Sequence, residues 1–115
     1  MTSEERDQVE ASAQSFAEQI GLTYYDTRPA LDIKPLVGKL TLAGMEAYGV
    51  IPIGIIGKQL TLAISEETDR AQLESLRQRL AGFDVVFMFT SQFGWNRLFN
   101  RFLTAVAART GQLLN

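Results

Sequence analysis

The stretch Ala47–Ser65, AYGVIPIGIIGKQLTLAIS, constrains the fold of this chain more than any other. Val50, Ile51, Ile53, Ile55 and Ile56 form a β-branched run, and Leu60-Thr61-Leu62-Ala63-Ile64 answers it. Between them, Gly57-Lys58 has the chemistry of a two-residue hairpin turn: glycine takes a positive φ without steric cost and lysine keeps the tip hydrated. Two strands alone are not stable in water and need a third strand or a helix against one face. The flanking sequence supplies both.

On the N-terminal side, Ser3 is placed to cap a first helix, with Glu4, Glu5 and Asp7 in the turn where the helix dipole favours negative charge. Val9, Ala13, Phe16 and Ile20 then fall on one apolar stripe, and Gly21 ends the helix. Leu22–Leu31 is too irregular for a helix, with a bend at Asp26, Thr27 and Pro29. Tyr24 and Tyr25 are adjacent in an extended segment, so they face opposite ways, one ring expected inside and one outside. Asp32–Val37 reads as a linking turn with Pro35 at the first position of a short helix, and Thr41 caps a second short helix through Leu42, Met45 and Tyr48, closed by Gly49.

Beyond the hairpin, Thr68 or Asp69 caps a third helix carrying Leu73, Leu76 and Leu80, stopped by Gly82. Phe83–Thr90, FDVVFMFT, is the third strand; its apolar residues barely alternate, which predicts cover on both faces and a central place in the sheet. Ser91 caps the last helix, whose face carries Phe93, Trp95, Leu98, Phe99, Phe102, Leu103 and Val106 and which Gly111 is expected to end. The expected architecture is α+β: a small three-stranded sheet, hairpin plus one strand, packed against about four helices. Residues 1–115 read as a single domain, with 1–21 an N-terminal helix and candidate docking arm and 22–110 the α/β core.

Composition narrows the chemistry. The chain contains no histidine and no cysteine, so Ser-His-Asp and Cys-His catalysis, disulfides and zinc–thiolate sites are excluded. Gly49, Gly54, Gly57 and Lys58 suggest a phosphate loop, but the spacing puts Pro52 where glycine is required and Gln59 where Ser or Thr is, and a strand follows in place of a helix. Glu66, Glu67 and Asp69 read as a solvated helix cap and lack the alternating ligands of a calcium loop. No catalytic, cofactor-binding or metal-binding residue and no cofactor is assigned. A net charge of −2 makes no claim on nucleic acid, no apolar run spans a bilayer, and the acidic N-terminus is unlike a signal peptide, so a cytoplasmic domain without direct membrane insertion is expected.

Charge is unevenly spread: residues 1–34 hold seven acids and three bases, whereas the chain from Val85 onward holds three arginines and no acid. This is read either as two solvated faces or as a basic edge for an acidic partner. The aromatics of the last helix are likewise read as a packing face or a partner surface. One helix can serve both ends by burying Leu98, Phe102 and Val106 while offering Trp95, Arg97 and Arg101 as partner-binding residues.

The order of short motifs resembles one family. Ala17-Glu18-Gln19-Ile20-Gly21-Leu22-Thr23-Tyr24, the segment Ala43–Ile53 (AGMEAYGVIPI), Leu60-Thr61-Leu62-Ala63-Ile64 followed by Asp69, and the Ser91-led final helix are similar in type and order to the N-terminal domain of type II secretion and type IV pilus assembly ATPases, over roughly residues 13–105. The resemblance implies a non-catalytic regulatory or docking module. Its implied partner is the cytoplasmic part of an inner-membrane secretion or pilus platform protein, which would hold it at the periphery of that membrane, and it would pass its state to an ATPase motor domain. Some family members bind cyclic di-GMP through tandem Arg-Leu-Gly-led motifs, which makes a dinucleotide sensor the alternative. Here the corresponding place is Gln19-Ile20-Gly21, without the arginine or a second copy, and Ser65-Glu66-Glu67-Thr68 stands where the family has a proline. No motor sequence follows, so the chain is expected to be an excised domain or a stand-alone relative.

Overall fold

The hairpin forms where its residues place it. In the computed structural model, which describes residues 1–114 and their side chains as far as Arg109, β1 (Ile51–Ile56) and β2 (Gln59–Ile64) pair antiparallel across Gly57, whose φ is 58°. The register slips between Pro52 and Gly54, leaving Ile53 as an extra residue on the edge strand. β3 (Asp84–Phe89) pairs parallel with β2, from Gln59 opposite Asp84 to Ile64 opposite Phe89. The crossover between them holds a 3₁₀ turn at Arg70–Gln72 and α3 (Leu73–Arg79). The remaining helices are α1 (Ser3–Gln19), α2 (Leu42–Tyr48) and α4 (Gln92–Leu114), with a further 3₁₀ turn at Lys34–Leu36.

The strand order is β1-β2-β3, so β2 is central and β3 lies at an edge, against the expectation from its apolar run. Only Val85 and Phe89 of that strand are buried, and Val86 is 41% exposed. The hairpin already occupies one side of β2, and β3 takes the other. The outer edge of β3 is met near its start, where the Arg77 guanidinium donates to the Val85 carbonyl (2.6 Å), and at its end, where the Phe89 N–H donates to the Thr23 carbonyl (2.9 Å) and the Tyr25 N–H to the Phe89 carbonyl (2.8 Å). The apolar run is partly covered on both faces, Phe87 packing on one apolar layer and Met88 on the other, while Val86 stays exposed.

Two apolar layers sandwich the sheet. One joins Ile51, Ile53 and Ala63 to Met45, Leu36 and the Trp95, Leu98, Phe99 and Phe102 face of α4. The other joins Leu60, Leu62, Ile64, Val85 and Phe89 to Ala13 and Ala17 of α1 and Leu76 of α3. Alternation along β2, Ala63 one way and Leu62 and Ile64 the other, divides them. Tyr25 packs on the first layer and Tyr24 on the second, opposite ways as expected, but both rings are half-buried, so neither is the exposed one.

Several local expectations are corrected. Thr2, not Ser3, caps α1: its hydroxyl accepts from the Glu5 N–H while the Glu5 carboxylate accepts from the Thr2 N–H, a reciprocal box. The buried residues of α1 are Glu10, Ala13 and Ala17, while Phe16 is 37% exposed, so the helix is rotated from the stripe its large residues suggest. Small side chains let α1 approach the sheet closely, and Phe16 reaches round to meet Phe89 at 5.1 Å. Asp69 caps the 3₁₀ turn through the Ala71 N–H, whereas Thr68 donates to the Gly49 carbonyl (2.6 Å) and accepts from the Ser65 N–H. Gly49 itself adopts φ 67°, and a Cβ there would stand 2.8 Å from Thr68 Oγ1, so this cap admits little but glycine. α3 ends at Arg79, ahead of Gly82, and α4 continues through Gly111.

Candidate functional site

The polar centre of the molecule is Glu10, only 1% exposed, at the junction of α1, the Tyr24–Arg28 segment and α4. Its carboxylate accepts from Tyr24 Oη (2.5 Å), Ser91 Oγ (2.6 Å) and Arg6 Nε (2.8 Å). Burial by itself would raise the Glu10 pKa, but the hydrogen bonds from Ser91, Tyr24 and Arg6, with the Arg6 charge, outweigh it and hold the carboxyl below its ordinary value. Burial, and then the Glu10 partner, push the Tyr24 phenol well up, so it stays protonated as donor. Ser91 Oγ also accepts from the Gly94 N–H (3.0 Å), which caps α4 as the sequence implies.

Arg6 carries the network outward. It donates to Thr27 Oγ1 (3.1 Å) and its guanidinium lies 4.5 Å from the centre of the Phe93 ring. Thr27 presses on α4 so closely that a Cβ on Gly94 would fall 2.1 Å from Thr27 Oγ1. Next to it, Arg28 donates to Asp26 (2.9 Å) and to Asp7 on α1 (2.7 Å). The Arg28 hydrogen bonds and charge hold the Asp26 carboxyl below its usual range.

Arg97 and Arg101 follow one turn apart on the exposed face of α4. Arg101 donates to the Leu31 carbonyl (2.7 Å), and no hydrogen bond or ion pair engages Arg97 among the described residues. The structure thus brings the two arginines together but not Trp95, which is turned inward, 8% exposed, and stacked on Phe99 at 5.3 Å. A partner cannot use the indole as an exposed anchor. The reason is helical phase: Trp95 lies with Leu98, Phe99 and Phe102 on the core stripe, whereas Arg97 and Arg101 lie off it. The Trp95 Nε1 proton is buried without an acceptor among the described residues.

Arg6, Glu10 and Arg28 are absent from the sequence-based assignment. Arg6 and Glu10 are spaced i,i+4 on a helix, a readable sign of an ion pair. The approach of Arg28 to Asp7 over an irregular segment carries no such sign. Glu66 and Glu67 are exposed, and no group of acids among the described residues is arranged to hold a metal ion. No helix among them is long and apolar enough to cross a membrane.

Comparison with known proteins agrees with this architecture. MshE, in a structure solved with cdg, superposes with a TM-score of 0.67 at 24% identity over 78% of this chain and 65% of that one. The N-terminal domain of XpsE in one crystal form superposes at 0.58 with 22% identity, over 77% of this chain and 62% of that one, and in a second form at 0.57. The chain therefore spans somewhat under two thirds of the length of these solved relatives, and at such identities the likeness is one of fold. A comparison with curated proteins finds no match. The MshEN domain family matches residues 20–108, most of the chain from the end of α1 to the described part of α4. The chain belongs to the MshEN domain family, the N-terminal domain family of the secretion and pilus assembly ATPases.

Proposed function

We propose that this chain is a non-catalytic docking and regulatory domain that binds the cytoplasmic part of an inner-membrane secretion or pilus assembly protein. That partner would hold it at the membrane periphery and couple it to an ATPase motor. Family membership supports the module, and the observation that carries the docking role is the exposed pair Arg97 and Arg101 on α4, the first with no intramolecular partner among the described residues. Because the aromatic side of α4 is spent on the core, its arginine side is the part free to meet another protein. Calorimetric titration of the chain with the cytoplasmic domain of the platform protein encoded beside it should give a saturable heat. No heat with that domain would refute the proposal.

A second reading, a cyclic di-GMP sensor, is favoured by MshE having been solved with cdg. It requires recognition by residues other than an Arg-Leu-Gly motif, since this chain has Gln19-Ile20-Gly21 there. Titration with cyclic di-GMP, with ATP as control, separates the readings: a thermal shift with the dinucleotide alone supports the sensor, and none removes it.

A further inference from the structure

Arg6, Arg28, Arg97 and Arg101 come from three separate parts of the chain and meet along one furrow. Its first part, about 270 Å³, lies between the opening turns of α1 and α4, walled by Arg6, Asp7, Arg28, Arg97 and Phe93. Its second part, also about 270 Å³, continues between the Arg28–Ala30 segment and α4 as far as Arg101. Arg28 and Arg97 belong to both.

The charges along this furrow are not equally answered. Glu10 neutralises Arg6, and Asp26 and Asp7 neutralise Arg28, whereas Arg97 and Arg101 have no carboxylate within ion-pair distance among the described residues. The start of α4, with no acid in its first turn, adds positive potential to the furrow, whereas the start of α1 is answered by Glu4 and Glu5. The Asp7 side of its pair is 70% exposed, and such a surface pair is weak enough for an incoming carboxylate to exchange with it. The donors are strung out in series and do not converge on one point, which suits several carboxylates on a chain better than one compact phosphate. Spacing agrees: four residues of helix rise about 6 Å, and alternate residues of an extended segment repeat at about 6.6 Å.

We infer that this furrow binds an extended acidic segment of the partner protein, with Asp or Glu at alternate positions pairing with Arg97 and Arg101. The inference rests on the docking reading above and deepens it by naming the partner's chemistry.

The test is fluorescence anisotropy of the full chain with a labelled peptide of alternating glutamate and leucine, beside its glutamine counterpart. The glutamate peptide should bind and the glutamine one should not, with affinity falling as salt rises. R97E should weaken binding several-fold and R97E/R101E by about tenfold or more, while R109E, on the same helix but outside the furrow, leaves it unchanged. R97E touches no internal partner, so an unaltered melting midpoint certifies its fold, and it decides the matter should R101E disturb the Leu31 contact. Equal binding of both peptides, or equal damage from R109E, overturns the inference. So does displacement by inorganic pyrophosphate where chloride of matched ionic strength has no effect, which would assign the furrow to a phosphate ligand. Self-association lost in R97E would assign it to the acidic edge of a second copy and also overturn it. The two readings fail separately: a platform protein that binds R97E as well as wild type removes the furrow but keeps docking, and peptide binding without platform binding does the reverse.

Discussion

At the junction of α1 and α4 a buried carboxylate, Glu10, takes hydrogen bonds from three side chains, while on the outer face of α4 Arg97 takes part in none among the described residues. Both regions are built from arginine, carboxylate and aromatic groups. Inside, each charge is matched, because an unmatched ion away from water costs several kcal/mol. Outside, water solvates the guanidinium at little cost, so the arginine need not be answered by its own chain and is left available. The same residue types hold the fold where they are saturated, and are left available for the proposed recognition where they are not.

The comparison breaks most visibly at Glu10. Replacing it by alanine strands Ser91, Tyr24 and Arg6 together, and should cost about 3 kcal/mol in urea unfolding, lowering the thermal midpoint by roughly 10 °C or more. A stability loss below 1 kcal/mol would mean that the network is solvated and not a buried knot. Gly94→Ala comes next. Its Cβ would meet Thr27 at 2.1 Å, and the expected loss is about 2 kcal/mol, largely recovered in the Gly94→Ala/Thr27→Ala double variant. Absence of that recovery would place the strain elsewhere in α4.

Acid tests the same carboxylate more gently. Its folded pKa lies below the unfolded value, so its contribution is present above the unfolded pKa and is lost as pH falls through the folded one. Wild type should therefore lose stability below about pH 4.5, the ordinary carboxyl region, more steeply than Glu10→Gln. Parallel acid-unfolding curves for the two would show that Glu10 is not the group responsible. At the small end, Arg97→Glu should change stability by no more than about 0.5 kcal/mol, as a surface substitution does, while binding changes markedly. A large stability loss in Arg97→Glu would erase the distinction between the two regions.

Much of the fold was legible in order and type. The Gly57-Lys58 turn, the Thr41 and Ser91 caps, the closing Gly49 and the helix between the second and third strands all rest on interactions within a few residues, and all are found. The face of α1 was only partly legible. Of the stripe Val9, Ala13, Phe16 and Ile20, Ala13 is buried and Ile20 packs on the second layer, yet the helix also buries Glu10 and Ala17 and leaves Phe16 37% exposed. A polar residue reads as outward unless its three donors, two of them from Tyr24 and the 81-residue-distant Ser91, are known to converge on it. Of the residues proposed from the sequence to bind a partner, the arginines lie exposed on α4 and Trp95 does not, because exposure depends on which stripe of α4 meets the sheet.

The sequence by itself determined the hairpin, the starts of α2 and α4 and the absence of histidine and cysteine chemistry, since these follow from dihedral preference, local hydrogen bonding and composition. Only the tertiary structure decided that β2 is central, that Glu10 is a knot and that four arginines share a furrow. Those are properties of surfaces brought together from distant parts of the chain, where packing and desolvation, not local propensity, choose the arrangement.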